Sequence, residues 1–375
     1  MIGVEGQYLL KFSVGKVEDF VDEEDLRDFT LIEEAGNVLP QFELVFTTRT
    51  IELLSELTEG NVLQISLGRD ALELTPAPFI IFSKRVAKSG QDKYSVRLTG
   101  LYAAPKYIAE DRTGWYEGSS VQVIEEVASR YFRVQNEASS SSDVQVWLQT
   151  SIPDKAFVTK VWMHSHLEGS VLLLAITSVG DFLIKDVKRL AGQEPRWRFV
   201  PRRASSAREV DYTGDYEVIS ETGFLNQYAG YRRTVNKLEV ESSTLSTIEV
   251  NASPILGLSP VLDRSAEISK RVVKQMPYCD NVHSHYWDAY FHNLALLSAL
   301  SSTRIRLSTG NYFFPIRPLD LVYFSEFETA QRQVVSPYSG LYIVSKVSRV
   351  IRDKRLFTNV EITREVINFA KGALA

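Results

Sequence analysis

The sequence has a single cysteine, Cys279, among its 375 residues. An intrachain disulfide is therefore impossible, and zinc sites built from several cysteines are excluded. The sequence also lacks the glycine-rich loops that bind nucleotide phosphates and the Gly-x-Ser-x-Gly turn of serine hydrolases. We therefore predict a protein that is not an enzyme, with no catalytic residues, no cofactor and no metal site.

Long apolar runs are absent as well. The longest uninterrupted run in the middle of the chain, residues 171–176, is far too short to span a bilayer. Residues 1–20 show no basic start followed by an apolar core, so we expect no secretory signal. With 44% hydrophobic and 24% charged residues, the composition is that of a soluble globular protein with an ample core. We expect synthesis in the cytoplasm and no association with a membrane.

The net charge of −5 gives no reason to expect affinity for nucleic acid, whether general or sequence-specific. The charge is unevenly spread, however. Residues 1–60 hold 14 acids and 4 bases, with the excess centred on residues 18–29, whereas residues 185–208 hold 8 bases and 2 acids. Two interpretations remain open: the segments are solvated surfaces, or they are complementary patches on neighbouring copies of the chain.

Periodicity divides the chain into four parts of a mainly β, α+β fold. Residues 1–112 read as an antiparallel β unit, because apolar and polar residues alternate in segments such as Tyr94–Thr99. Residues 113–200 read as a small α+β domain, with two helices and then a hairpin that turns near Gly180. Ser119 and Gln122 have the spacing of a capping box at the first helix, and the second helix is expected between Pro153 and Gly169.

The second half of the chain returns to strands. Residues 191–216 read as a connector, and residues 201–250 and 303–370 read as a second β unit. Residues 251–302 interrupt it as an inserted helical domain, with a loop at 251–263 and a helix from about Ser284 to Leu300. The side of this helix predicted to be apolar carries Trp287, Phe291, Leu294, Leu297 and Ser301.

All five histidines fall in two clusters. His164 and His166 lie in the first cluster, and His283, His285 and His292 lie in the second. Asp288 and His292 could share a helix face, so a metal-dependent hydrolase is an alternative function. We favour structural histidines, because no His-Glu-x-x-His motif is present. His164 and His166 fall at a helix C-terminus, where the dipole favours them, and His283 and His285 at a helix start among polar neighbours. A thiol–imidazole pair of Cys279 with His283 would need a supporting cleft, so an inert buried thiol is the favoured interpretation.

Three tryptophans, Trp115, Trp147 and Trp287, could anchor an interface, although core packing is the default interpretation for each.

One hairpin pattern occurs twice. The sequences IIFSKR (residues 80–85) and YIVSKV (residues 342–347) are each followed by a turn with Asp-Lys and by an alternating strand. Two related β units per chain would let a trimer present six similar units in a ring and match a sixfold partner. The identities behind the alignment are Ile81, Ser83, Lys84, Asp92, Lys93, Val96 and Thr99, which recur as Ile343, Ser345, Lys346, Asp353, Lys354, Val360 and Thr363.

The order of parts resembles a known family. Residues 118–132, 153–187, 286–324 and 339–365 look like consecutive segments of the central baseplate hub protein of contractile phage tails. That family is related to the N-terminal part of the type VI secretion spike protein and to late-control tail proteins. One segment departs from the pattern, because Arg317-Pro318-Leu319-Asp320 stands where many members have Pro-Gly-Asp.

The resemblance implies a structural virion protein of the tail baseplate, made in the cytoplasm of the bacterial host. It implies two β-barrels with the fold of the tail-tube subunit and two smaller α/β domains. The implied partners are two further copies in a homotrimer, a tail-tube or tube-initiator protein, the central spike protein and the tape-measure protein. Because the sequence stops at Ala375, soon after the second β unit, the spike is expected to be a separate chain. The hub of another contractile injection system is a further alternative.

Overall fold

The structure, a computed structural model, describes residues 2–4, 7–90, 92–201, 208–220, 232–239, 244–251, 271–276, 282–310, 312–326 and 338–365. Strands dominate it, and most of them join one 14-stranded sheet that runs through two barrels. Within these ranges, no helix is both long enough and apolar enough to cross a membrane. The predicted mainly β, α+β fold class is confirmed.

The first barrel is built from strands in which every second residue points inward. Phe42, Leu44 and Phe46 of one strand are buried among Val96 and Leu98 of its neighbour, so the predicted period of two is confirmed. The sheet curls until Phe12 and Phe29, on its two ends, pack edge to face at 5.3 Å. The elements are β1 (Ile2–Val4), β2 (Tyr8–Val14), β3 (Val17–Glu18), β4 (Leu26–Glu34), β5 (Gln41–Thr48), α1 (Ile51–Glu56), β6 (Val62–Gly68), β7 (Ala77–Lys88) and β8 (Tyr94–Tyr102).

The α+β part follows directly and shares the core of the first barrel. Its capping box is present, since the Ser119 hydroxyl and the Gln122 side chain each bond the other's backbone N–H. The second helix ends at Met163, earlier than expected, and the predicted hairpin turns at Gly180, where φ is +82°. The elements are α2 (Pro105–Ala109), β9 (Asp111–Gly118), α3 (Ser120–Ala128), β10 (Arg133–Asn136), β11 (Gln145–Pro153), α4 (Asp154–Met163), β12 (Leu172–Ile176), β13 (Asp181–Asp186) and α5 (Val187–Ala191).

The second barrel closes on itself through six strands. Two of them correct the interpretation of residues 191–216 as a connector. There, Phe199 is buried while Arg196 and Arg198 face outward, so alternation holds although the exposed face is strongly basic. The strands are β14 (Trp197–Val200), β15 (Glu209–Ser220), β19 (Thr303–Thr309), β20 (Leu321–Phe324), β21 (Gly340–Arg352) and β22 (Arg355–Arg364).

A smaller sheet and a helix interrupt the second barrel. Strands β16 (Arg232–Glu239), β17 (Thr244–Asn251) and β18 (Arg271–Met276) pair only with one another among the described residues. The sequence interpretation placed the first two in the barrel, but a pattern of alternation does not specify which edge a strand joins. Cys279 and residues 252–263 of the predicted loop lie outside the described residues.

Helix α6 (Tyr286–Leu300) confirms the predicted helix, but its buried side differs from the prediction. Ala289, Phe291, Ala295 and Leu296 are buried, whereas Leu294 is exposed. The domain limits at residues 112, 200, 250 and 302 stay predictions.

When the short strands β1 and β3 are left out, the first barrel has six strands, and it arranges them in the same order as the six strands of the second barrel. Counted by chain position, the spatial order is first, fourth, fifth, sixth, third and second in each barrel. The first strand differs in direction, because β2 is antiparallel to β6 whereas β14 is parallel to β20. The hairpins β7–β8 and β21–β22 therefore occupy equivalent places in two barrels of the same strand order.

The residue alignment of the two hairpins was wrong by one position in the first strand and by two positions in the second. Each hairpin has a bulge, and the extra residue is Phe82 in the first and Ser345 in the second. In agreement with this, the pair of Phe79 with Leu63 in the first barrel is equivalent to the pair of Tyr342 with Val322 in the second. A slip of one residue turns every side chain of the first strand to the opposite face, and a slip of two moves those of the second strand along the same face. The identities in the strand sequences therefore do not superpose in space.

Candidate functional site

The two barrels meet where β4 of the first pairs antiparallel with β21 of the second. Seven consecutive residues of each strand form this ladder, from Asp28–Glu34 on one side and Lys346–Arg352 on the other. Acidic side chains of β4 face basic side chains of β21, through the pairs Lys346–Glu34, Arg349–Glu33 and Arg352–Asp28. We call this ladder the barrel junction. Its backbone bonds hold the barrels together, and its charges define the register.

The centre of the barrel junction is a buried ion pair. The side chains of Arg349 and Glu33 are only 5% and 3% exposed. The second carboxylate oxygen of Glu33 accepts the N–H of Ser178 at 2.6 Å, and Arg349 donates to the carbonyl of Ile316 at 2.7 Å. The guanidinium also lies over the ring of Phe313, 5.2 Å from its centroid. One ion pair therefore connects both barrels, the α+β hairpin and the link before β20.

Sequence reasoning missed this pair, although a signal was present. Arg349 stands between Val347 and Ile351 at the inward-facing positions of β21, and all three are buried. A lone arginine at an apolar position of a strand indicates a buried partner, because an unpaired buried charge is costly.

The acidic segment 18–29 makes ion pairs within the chain. Asp25 pairs with Lys93 at 3.2 Å and Glu23 pairs with Lys354 at 3.6 Å. These lysines belong to the Asp-Lys turns of the two equivalent hairpins. Lys93 and the hydroxyl of Thr47 hold the pKa of Asp25 below its usual value despite partial burial. Part of the acidic excess is thus used inside the protomer.

The basic segment 185–208 is also partly neutralised within the chain. Lys185 pairs with Glu137, Arg196 with Asp320, and Arg208 with Glu194.

The two histidine clusters come together where the end of α4 meets the start of α6. His166 stacks on His285 with ring centroids 4.2 Å apart, and His164 stacks on Tyr286 at 3.8 Å. A ring nitrogen of His283 lies 3.1 Å from the carbonyl oxygen of His164. Asp143 anchors the cluster by accepting the N–H groups of Ser120 and His166. The histidines therefore pack the end of α4 against the start of α6.

The protonation of this cluster follows from its burial. Loss of water lowers the pKa of His164 to about 4, and burial likewise lowers the pKa values of His166, His283 and His292. The rings of these four histidines are therefore neutral at pH 7. Within the described part of the chain, no three His, Cys, Asp or Glu side chains converge to hold a metal ion.

The tryptophans differ in their surroundings. Trp147 is buried against His283 and Tyr286, and Trp287 is half-buried beside His164. Trp115 is 67% exposed on the β9–β11 ribbon, next to exposed Leu148. Of the three, only Trp115 has the exposure that an interface anchor needs.

The link that departs from the family pattern forms a tight turn. Asp320 donates its N–H to the carbonyl of Arg317, and Leu319 has φ +66° at the third position. This backbone region favours glycine, which explains why Gly is common there in the family that the sequence resembles. Leu319 is nevertheless retained with a buried side chain, which packs between helix α6 and the second barrel.

Two barrels of equal strand order, joined through one sheet and separated by α+β insertions, define the class of fold. No protein-family model matches the chain, and no curated protein sequence matches it. Solved structures do match: a tail protein from Neisseria meningitidis MC58 and the 43 kDa tail protein of prophage MuSo2 from Shewanella oneidensis.

The first comparison has 10% identity and a TM-score of 0.60, and it covers 96% of this chain and 97% of the other. The second has 8% identity and a TM-score of 0.61, and it covers 96% and 98%. A chain of the Francisella PdpA–VgrG complex matches at 10% identity with a TM-score of 0.52. That match covers 97% of this chain and 54% of the longer one. The chain therefore has a baseplate hub-like fold, as the resemblance implied.

Proposed function

We propose that this protein is a structural subunit of a phage tail baseplate and that it acts as the central hub. Three copies form a ring with pseudo-sixfold symmetry, which joins the hexameric tail tube to the trimeric central spike. The observation that carries this proposal is the identical order of six strands in two barrels of one chain. The fold shared with two tail proteins, one of them from a prophage, over nearly their whole length supports it.

The mechanism is mechanical and not catalytic. A ring of six similar barrels presents the same surface every sixty degrees to a hexameric tube, while its insertions repeat only three times. Such a ring meets a sixfold partner on one face and a threefold partner on the other. The partners we propose are a tube or tube-initiator protein, the spike protein and the tape-measure protein, in the virion tail.

A second candidate is the hub of another contractile injection system. The fold likeness to a chain of the Francisella PdpA–VgrG complex favours it. In both candidates the ring joins a tube to a spike, and the candidates differ in whether the ring belongs to a phage tail or to another injection system.

The mass and shape of the purified protein test the proposal. We expect a particle of about 127 kDa, three times the 42.4 kDa chain, at micromolar concentration. Interfaces of such obligate assemblies bury on the order of 2,000 Å² or more each. Negative-stain images should show a ring with a central hole and six similar lobes. A protein that stays monomeric, alone and when mixed with tail-tube and spike proteins, would contradict the proposed hub.

A further inference from the structure

The barrel junction is formed by β4 of the first barrel and β21 of the second. Each barrel also contains a strand equivalent to the one that the other contributes: β7 of the first barrel corresponds to β21, and β15 of the second corresponds to β4. Along one side of β21, residues 340–343 pair with β20 and residues 346–352 pair with β4. The equivalent side of β7 pairs with β6 only at residues 77–80. Among the described residues, no strand pairs with the rest of that side, Ser83–Lys88. Within the described ranges, β7 of the first barrel thus has an unpaired edge that is equivalent to the β21 edge in the barrel junction.

The second barrel has the complementary open edge. In the first barrel, β4 pairs with β5 on one side and with β21 on the other. Its equivalent β15 pairs with β19 along residues 212–220, but its other side pairs with β14 only at residues 209–211. Within the described ranges, the outer side of residues 212–220 has no strand partner. In the part of the chain that the structure describes, each copy therefore has one open edge of each kind.

The charges of the open edges match those of the barrel junction. In the junction, β4 supplies acids and β21 supplies bases. On the open edges, β15 presents Asp215 and Glu217, while β7 presents Arg85 and Lys88, and all four are exposed. The charged side chains on each open edge thus have the same sign as those on the equivalent strand in the barrel junction. Val86 adds an exposed apolar side chain to the β7 edge.

We propose that β15 of one protomer pairs antiparallel with Ser83–Lys88 of a second copy and so repeats the barrel junction between chains. This inference rests on the proposed ring and names the surfaces that close it. The contact is head-to-tail, and such contacts generate a closed ring when the rotation per step fits. Three chains then leave no open edge of this kind in the ring.

The barrel junction also gives the register. Thr30 of β4 lies opposite Val350 of β21. Glu217 is the structural equivalent of Thr30, because the two residues pair with equivalent residues of β19 and β5. Ala87 is the structural equivalent of Val350, because the bulges of β7 and β21 align them. Ala87 should therefore lie opposite Glu217 of the next copy, with Val86 opposite Val218. Arg85 is then the diagonal neighbour of Glu217, within reach of an ion pair.

Cysteine cross-linking tests this register. In a Cys279→Ser background, Ala87→Cys and Glu217→Cys together should give covalent dimers and trimers under mild oxidation. Directly opposed residues in neighbouring strands have the spacing that a disulfide requires. The matched control combines Glu217→Cys with Val62→Cys, an exposed position on β6 away from the open edge, and it should give no specific product.

A charge test complements the cross-link. Arg85→Glu should raise the dissociation constant of the trimer about three- to tenfold, and adding Glu217→Lys should recover most of the loss. Arg306, the partner of Glu217 within the chain, keeps Glu361 as a second partner in that variant. An unchanged affinity of Arg85→Glu would contradict the proposed edge pairing.

The outcomes separate this inference from the proposed function. A trimer that forms without the 87–217 cross-link would overturn the edge pairing and leave the hub intact. A monomer at every concentration, with and without tube and spike proteins, would overturn both. A trimer with the cross-link at 87–217 and none at 62–217 supports both.

Discussion

Removing Arg349 should destabilise the protein far more than removing any exposed charge of the barrel junction. Arg349→Met keeps the length of the side chain but leaves the Glu33 carboxylate buried with only the N–H of Ser178 as a described partner. Taking one member from a buried pair costs about 3–5 kcal/mol, because the remaining charge has lost both water and its counter-ion. The loss should affect the barrels together, since the pair holds both of them.

Replacing both partners should be much less harmful. In Glu33→Leu with Arg349→Met, no buried charge remains, and such exchanges are often neutral or stabilising by about 1–4 kcal/mol. The carbonyl of Ile316 loses its partner in both variants, so the double variant adds only the lost partner of the Ser178 N–H, which we expect to cost about 1–3 kcal/mol. The double variant should therefore unfold less easily than Arg349→Met alone, with a favourable coupling of about 2–4 kcal/mol.

Urea unfolding, followed by tryptophan fluorescence and circular dichroism, measures these differences. The matched control is Arg352→Met at the rim of the same ladder, where the arginine side chain is 62% exposed. Its pairing with Asp28 should contribute far less than the buried pair, because water and salt screen exposed charges. Equal losses for the variants at 349 and 352, or strictly additive losses in the double variant, would refute the reasoning.

Three further predictions concern single residues. Leu319→Gly relieves the strain of a left-handed backbone, about 1–2 kcal/mol, but it removes a buried leucine side chain that stabilises the fold by about 3–5 kcal/mol. Unfolding should therefore require less urea, and a need for more urea would contradict this assignment. Burial lowers the pKa of His164 to about 4, so the unfolded state binds more protons between pH 6.5 and 4. Stability should therefore fall as pH falls through that window, by about 2–4 kcal/mol for this group, and His164→Phe should show a smaller loss in matched urea titrations at pH 7.5 and 4.5. Ser119→Ala removes the capping hydroxyl of α3 and should cost about 1 kcal/mol, whereas exposed Ser129→Ala, which keeps the cap, should cost less.

Local patterns predicted most of the individual elements. The alternation of Tyr94–Thr99, the capping box at Ser119 and the turn at Gly180 each depend on a few neighbouring residues, and each is present in the structure. The sequence placed the two histidine clusters at a helix end and a helix start, but their stacking across 119 or more positions of sequence could not be predicted. Contacts between distant segments depend on how the elements pack, which no local pattern encodes.

The duplication shows the same limit in a single feature. The sequence indicated two similar hairpins, yet it aligned Ile81 with Ile343 when the bulges align Ile81 with Val344. Identity of a few residues is weak evidence in strands, because many side chains suit the same face. Strand order and bulge position are properties of the sheet, and they identify the repeat without ambiguity.

By itself, the sequence determined that this protein has alternating strands, a capping box at the first helix of the α+β part, a hairpin turn at Gly180 and a late helix. These features follow from interactions between residues a few positions apart. Only the tertiary structure decided which strand edges pair, since Glu33 and Arg349 are brought together from opposite ends of the chain. Only the tertiary structure shows, too, which edges are left open among the described residues, because hydrogen bonding along a strand does not depend on its side chains.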